Sequence, residues 1–349
     1  MLSKTDQSSA MDNFTVLGRI GAGAHGIVMK ARHKKSCKLV ALKKLLIKRP
    51  NEGIPSATVR EIKILQTVES PYIVKLYYVF PQGLGLVLVF EFLGLNLSQI
   101  INNSKIDLNE SSIKTYMVML LKGLIYLHSH SLMHRDLKPD NLLISCDGRL
   151  KIADLGLSRI FSAEGERPYS HEVATRWYRA PELLYGSRSY TQSMDLWSTG
   201  CIFGEMLNRS PIFRGENDID QLGIVIKVLG TFNEETWPGA KELPDYSKIT
   251  FPSMQPIPLE EIVPDASKEA QSLLKAFLVY DGKIRVEADT ALRHRFFNSH
   301  PIATPLKYMP KSEELFGKTS PDTSQSFENN IQEEFDKLKD LPSSLVIPK

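Results

Sequence analysis

The sequence predicts an α+β protein, with a small β-rich lobe followed by a larger, mainly helical one. Three observations predict it. Short β-type runs crowd residues 14–94, namely 14–20, 27–31, 39–46, 73–79 and 86–92. A single helical pattern, residues 55–68, interrupts them, with Pro55-Ser56 as its start and Ala57, Ile64, Leu65 and Val68 at helical spacing. After Gly94 the period turns helical, in 113–130, 193–207, 219–229, 267–278 and 288–294, with a proline-rich irregular stretch at 238–264. A cleft between two such lobes is the natural ligand site.

Composition narrows the class. The chain has 349 residues, 42% hydrophobic and 24% charged, enough apolar material for a sizeable core. Lys and Arg number 43 against 40 Asp and Glu, so charge makes no case for nucleic-acid or membrane binding. Cys37, Cys146 and Cys201 are far apart and lack metal-ligand spacing, which suits reduced thiols. No apolar run approaches the ~18 residues of a membrane span. The polar N-terminus has no signal core, Leu2 cannot be myristoylated, and the C-terminus has no prenylation box. These features point to an intracellular protein. Residues 1–13 read as a flexible extension, 14–297 as the folded domain with its lobes meeting near 94, and 298–349 as a loose polar tail.

In the first lobe, Gly21-Ala22-Gly23-Ala24-His25-Gly26 lies between two strand runs. Glycine tolerates positive φ and lets backbone N–H groups approach phosphates. A Rossmann loop shares this spacing but opens a helix and is followed by an acid about twenty residues on. Here a strand follows and the later charge is Lys43. Taken alone, the motif reads equally as a plain hairpin. Ala41 and Lys43 share one strand face. Glu61 falls on the apolar stripe of the 55–68 helix, four residues from both Ala57 and Leu65. An unpaired carboxylate there is costly, and a strand lysine would satisfy it.

In the second lobe, His134-Arg135-Asp136-Leu137-Lys138-Pro139-Asp140-Asn141 is the most specific segment. Asp136 supplies a carboxylate for a substrate hydroxyl. Lys138 sets a cation two residues from that carboxylate, and Asn141 offers a metal ligand. Pro139 keeps the segment from continuing as a helix. Leu142–Ser145 and Arg149–Ile152 flank Cys146-Asp147-Gly148, a hairpin signal. A two-residue turn centred between Asp147 and Gly148 would set Asn141 opposite Asp154. An amide oxygen and a carboxylate converging there suit Mg²⁺.

These motifs resemble the eukaryotic protein kinase family over residues 14–297, in the family's order: glycine loop, Lys43, Glu61, His-Arg-Asp loop, Asp154-Leu155-Gly156, then Ala180-Pro181-Glu182. Asp195-Leu196-Trp197-Ser198-Thr199-Gly200 resembles its central helix, and Arg285 stands where the partner of Glu182 is placed. Leu155 replaces the usual phenylalanine, a change in the packing residue that helps set active and inactive states. The resemblance implies the bilobal kinase fold and transfer of the γ-phosphate of ATP, with Mg²⁺, to protein serine or threonine hydroxyls. Lys138 matches the serine/threonine rather than the tyrosine type.

Within the family the chain is similar to the cyclin-dependent kinases. Pro55-Ser56-Ala57-Thr58-Val59-Arg60-Glu61 resembles their PSTAIRE helix. Gly23–Gly26 and Val173-Ala174-Thr175-Arg176-Trp177-Tyr178-Arg179 suggest the cell-cycle-related kinase branch. By resemblance, Ile20, Gly21, Ala22, Gly23, Ala24, His25, Gly26, Ile27, Val28, Ala41, Lys43, Glu61 and Leu143 belong to the ATP site. Phe90 would be its gatekeeper, and Glu91 and Leu93 would meet adenine through the backbone. Asn141 and Asp154 would hold Mg²⁺, Thr175 would bond near Asp136 and Lys138, and Arg179 would favour proline after the phosphorylated residue.

Regulation is read from the same resemblance. Ser170, or less readily Tyr169, takes the activating phosphosite, for which an activating kinase is expected, and Arg60, Arg135 and Arg159 form its arginine cage. Ala24-His25 lacks the hydroxyls of the inhibitory phosphosites common in this group. A cyclin-like activator is expected on helix 55–68, and the cytoplasm, nucleus or cilium as the location. Two other classes compete. A scaffold with the kinase fold but no catalysis would not need Lys43, Glu61, Asp136, Asn141 and Asp154 together, and a Rossmann oxidoreductase fails on the strand after the glycine loop.

Overall fold

The computed structural model describes residues 10–23, 26–46, 54, 56–83, 85–161, 169 and 173–311. The described residues fall into two units, those within 10–69 and 74–93, and those within 70–73 and 94–311.

The period of two along each strand builds the first unit. β1 (Phe14–Gly23), β2 (Gly26–His33), β3 (Leu39–Leu46), β4 (Leu76–Gln82) and β5 (Gly85–Glu91) form one antiparallel sheet in the order β1-β2-β3-β5-β4. Register places Met29, Leu42 and Val89 side by side on one face, and Ala31 beside Val40. With Phe14, Phe80 and Val87 they form a buried apolar cluster. The pleat sends Val28, Lys43, Ala41 and Phe90 to the opposite face. Gly26 has φ +131°, and a Cβ there would clash with the carbonyl of Lys44, so the β2–β3 approach requires glycine. The helix α1 (Ser56–Thr67) completes the unit.

The strand expected at 73–79 starts three residues later. Pro81 fits β4 because β4 is an edge strand. Ile73, 2% exposed, instead makes an isolated parallel bridge to Ile152 in the second unit. Its burial there outweighs its strand propensity in β4.

The second unit is organised round α5 (Ser193–Asn208), in which every residue from Met194 to Met206 is buried. A helix apolar on all sides belongs inside a core. Before it come β6 (Leu95–Asn96), α2 (Leu97–Asn102), α3 (Glu110–Ser129), β7 (Leu132–Met133), β8 (Leu142–Ile144), β9 (Leu150–Ile152), β10 (Arg159–Ile160) and α4 (Pro181–Leu184). After it come α6 (Asp218–Leu229), α7 (Leu259–Ile262), α8 (Lys268–Phe277) and α9 (Ala288–Leu292). Asn109 caps α3 by accepting from the backbone N–H of Ser112, and Asn217 caps α6 from Asp220. The stretch expected to be irregular at 238–264 holds two single 3₁₀ turns and α7. No described helix is long and apolar enough to cross a membrane.

The loose tail expected from residue 298 is, at Ser299–Thr304, docked on α3. Lys114 on α3 is fully buried and donates to the carbonyls of Ser299 and Pro301, each at 2.8 Å. The Thr304 N–H donates to Ser111, and the Thr115 hydroxyl donates to the Thr304 carbonyl at 2.7 Å. Met309 is 1% exposed and lies against Gly148.

Candidate active site

Lys43 comes from the middle of β3 and Glu61 from the second turn of α1, and the structure joins them as expected. The Lys43 Nζ–Glu61 Oε1 distance is 2.9 Å, with the side chains 12% and 6% exposed. Val28 is the direct register partner of Lys43, and Phe90 that of Ala41, so four expected nucleotide-lining residues share one face of the first unit. Ile20 is exposed, whereas Phe90 and Leu93 are buried. The Glu91 N–H donates to the Lys75 carbonyl, and its carboxylate accepts the Lys75 N–H at 2.8 Å.

In the second unit, the backbone of His134 and Arg135 hangs from one fully buried carboxylate. Asp195 Oδ2 accepts the His134 N–H at 2.9 Å and faces His128 Nε2 at 3.0 Å. Asp195 Oδ1 accepts the Arg135 N–H at 2.9 Å. Burial pushes the Asp195 carboxyl up, but the His128 hydrogen bond and charge and the Arg135 N–H outweigh it and hold the group below the usual carboxylate range. His134 Nδ1 accepts from the Asp136 N–H, so its Nε2 carries the proton and donates to the Ala153 carbonyl at 2.9 Å. Arg135 has φ +69°, and its side chain donates to the Leu157 carbonyl at 2.7 Å and the Tyr190 hydroxyl at 2.8 Å.

Both oxygens of Asp136 are held. Oδ1 accepts from the Thr175 N–H at 3.0 Å and the Thr175 hydroxyl at 3.1 Å. Oδ2 accepts from Asn141 Nδ2 and faces Lys138 Nζ, each at 3.1 Å. Lys138 Nζ also donates to Thr175 Oγ1 at 2.9 Å. The carboxylate is 13% exposed and Lys138 25%, so both retain a path to solvent. Thr175 therefore meets Asp136 and Lys138 as expected, and Asn141 joins them.

The hairpin register needs correction. Leu142 pairs with Ile152, Leu143 with Lys151 and Ile144 with Leu150. The loop thus has three residues, Cys146-Asp147-Gly148, rather than the expected two-residue turn. Gly148 takes φ +86° at its third position, the usual third-residue conformation of a three-residue hairpin loop. The Ser145 hydroxyl reinforces it by bonding to Asp147 and to the Arg149 carbonyl. Asn141 consequently lies opposite Ala153, whose N–H donates to the Asn141 carbonyl at 2.9 Å, and Asp154 is one residue further on. Asp154 adopts φ +60°, ψ +67°, a left-handed turn that redirects the chain after β9.

This donor set fits a hard divalent cation. Asn141 spends its Nδ2 on the Asp136 carbonyl and carboxylate, which leaves the amide oxygen as its ligating atom. Among the described residues no group of three or more His, Cys, Asp or Glu forms a metal cage by itself. Few protein oxygens with substrate phosphates completing the sphere is the pattern expected for Mg²⁺.

Beyond Thr175 the chain is fixed by Arg179. Ala174 has φ +65°, a left-handed conformation that costs a non-glycine residue about 1–2 kcal/mol. Arg179 Nε donates to the Val173 carbonyl at 3.0 Å and Arg179 Nη2 to the Ala174 carbonyl at 2.9 Å. Arg285, its side chain fully buried, grips Glu182 with two bonds at 3.1 and 3.2 Å, the pair the sequence suggested.

Ala24, His25 and Ser170 lie outside the described residues, as does the side chain of Arg60. Of the three arginines expected around Ser170, Arg135 spends its side chain on the Leu157 carbonyl and the Tyr190 hydroxyl, and Arg159 in β10 pairs with Met133. Sequence reasoning assigned no role to Asp195, His128 or Tyr190. Their contacts span 55–67 residues of sequence, and the signal present was an acidic residue, Asp195, inside a largely apolar helix pattern that also carries Glu205.

The comparisons agree with this geometry. Residues 14–297 match the protein kinase domain. The chain is 58% identical over 301 residues to "Cyclin-dependent kinase 20" of Danio rerio, covering 86% of this chain and 88% of the relative. It is 51% identical over 308 residues to the protein of that name from Homo sapiens, covering 88% and 89%. The Mus musculus relative is 52% identical over 306 residues, covering 86% and 88%. The chain belongs to the protein kinase family and groups there with the cyclin-dependent kinases.

Proposed function

We propose that this chain transfers the γ-phosphate of MgATP to serine and threonine hydroxyls of protein substrates, preferring those followed by proline. The observation that carries it is the Asp136 carboxylate, fixed by Thr175 and Asn141 with Lys138 beside it. The substrate hydroxyl oxygen forms a bond to the γ-phosphorus as the bond to the β–γ bridging oxygen breaks. ADP leaves, and the hydroxyl proton passes to Asp136. Lys138 offsets charge on the phosphoryl oxygens, and Lys43, aligned by Glu61, holds the α- and β-phosphates. Mg²⁺ held by Asn141 and Asp154 would supply further charge neutralisation on the phosphates. Most of the catalysis is positioning and electrostatics.

Proline preference follows from the Arg179 contacts. With the Ala174 carbonyl taken by Arg179, a substrate N–H after the phosphoacceptor lacks that acceptor, and proline has no N–H to strand. An unpaired buried N–H costs roughly 1–3 kcal/mol, enough to set a preference. The relatives' name includes a cyclin, and we extend that to α1, where Val59 is 37% exposed, as the activator's surface. Phosphorylation of Ser170 and a cytoplasmic, nuclear or ciliary location complete the reading.

The test is transfer from labelled MgATP to a degenerate serine/threonine peptide array, wild type beside Asp136→Asn. Transfer lost in the variant supports the reading. Equal transfer by the two proteins, or ATP binding without transfer in the presence of candidate cyclins, would sink it in favour of a scaffold.

A further inference from the structure

Arg179 has a third contact that the proline argument does not use. Its Nη1 lies 2.8 Å from Asp218 Oδ2, and Asp218 is the first residue of α6. The other oxygen of the same carboxylate accepts from Arg176 Nε at 3.0 Å. One carboxylate thus bridges two arginines of the turn that follows Thr175.

The surroundings make this bridge a fixed one. The Trp177 indole N–H donates to the Gly215 carbonyl at 3.1 Å, and Arg176 Nη1 donates to the Glu216 carbonyl at 2.9 Å. Gln221, fully buried on α6, accepts the Gly215 N–H at 2.8 Å and reaches the Trp177 carbonyl at 3.4 Å. The Arg214 guanidinium lies 5.2 Å from the Trp177 ring centre. The start of α6 is therefore knitted to residues 176–177 by several bonds that do not involve Asp218.

Geometry decides what Asp218 adds. A guanidinium is planar and presents its donors in a rigid fork. Fixing Nη1 on Asp218 leaves Nε and Nη2 aimed at the Val173 and Ala174 carbonyls. Arg179 is largely buried at 13% exposure, and without the carboxylate its head group would lose one of three anchors.

We infer that Asp218 is a positioning residue for substrate specificity, holding Arg179 on the Ala174 carbonyl and so excluding substrates without proline after the phosphoacceptor. This inference rests on the proline-directed reading above. When the Ala174 carbonyl is released, it can accept the N–H of a non-proline residue, so specificity falls through a gain by the wrong substrate. Arg176 shares the carboxylate but does not touch that carbonyl, and its loss leaves the Asp218–Arg179 contact in place.

The experiment measures kcat/KM of the full-length chain on two peptides that differ only in having Pro or Ala after the serine. Wild type, Asp218→Ala and Arg176→Ala are compared. In Asp218→Ala the Pro/Ala ratio should fall about three- to fivefold, the reach of one half-exposed charge-assisted contact, with the Ala peptide gaining. In Arg176→Ala the ratio should hold within twofold. A wild-type ratio near one overturns the proline reading itself. A proline-preferring wild type with an unchanged ratio in Asp218→Ala overturns the inference alone, even if both peptides slow together. An equal loss in Arg176→Ala also overturns it, because the carboxylate would then merely anchor the turn.

Discussion

Asp195 and Glu205 lie ten residues apart on α5, both buried, and they respond to burial in opposite ways. Asp195 collects two backbone N–H groups and His128, and its carboxyl is held below the usual range. Glu205 receives the Tyr178 hydroxyl at 2.7 Å, and burial outweighs that bond and pushes its carboxyl up. Removal from water is common to both, so the supply of donors, with the like charge of Asp140 adding to the push on Glu205, decides which way each carboxyl shifts. The better-supplied carboxylate holds the backbone of the catalytic loop. The other holds the residue next to Arg179, where charge itself is a burden.

A third carboxylate sharpens this contrast and gives the largest expected effect. Asp136 is well supplied with donors yet retains exposure, so its charge is available for chemistry. Asp136→Asn should lower transfer by about 10²–10⁴-fold with an unchanged melting temperature, read by labelled-phosphate assay and calorimetry on one preparation. A melting temperature that fell with activity would make Asp136 a structural carboxylate like Asp195.

Next comes Asp195→Ala, which strands two backbone N–H groups and His128. It should destabilise the chain by about 3–5 kcal/mol, measured by denaturant unfolding. Its folded pKa is lowered, so its contribution is present above the unfolded value near 4 and is lost as pH falls through the folded one. The gap between wild type and variant should therefore narrow in acid.

Glu205→Gln should behave in reverse. A raised folded pKa means the stabilising contribution is full below the unfolded value of about 4.3 and is lost as pH rises through the folded one. At pH 7 the neutral amide, still able to accept from Tyr178, should match or exceed wild type in melting temperature, and the difference should vanish toward pH 4. A destabilised variant at pH 7 would break the comparison. The smallest effect belongs to Arg293→Ala, whose partner Asp289 is exposed at 2.9 Å one helical turn away. Water screens so exposed a pair, so the unfolding midpoint should barely move.

Much of this molecule was legible because its chemistry is local. Period-two alternation put Ala41 and Lys43 on one strand face, which the structure sets opposite the buried Val40 and Leu42, and helical spacing put Glu61 where a lysine was needed. The hairpin register was one residue out because Asp147-Gly148 suits a two-residue turn as well as the end of a three-residue loop. The Ser145 side chain selects the second. Ile73 read as strand because propensity cannot tell a ladder from a single bridge. The props of the site, His128 to Asp195, Tyr190 to Arg135 and Asp218 to Arg179, join distant segments through single atoms, which no periodicity encodes.

Lys114 bears on where the folded chain can be cut. The kinase-family match ends at residue 297, but the ammonium of Lys114 finds its carbonyl acceptors at Ser299 and Pro301. A protein trimmed at the family boundary would keep every catalytic motif but strip the Lys114 ammonium of both carbonyl acceptors, leaving Glu110, 3.6 Å away, as its ion-pair partner. Poor yield of such a fragment would report a severed anchor rather than an inert enzyme, and the self-sufficient C-terminal limit lies past Met309.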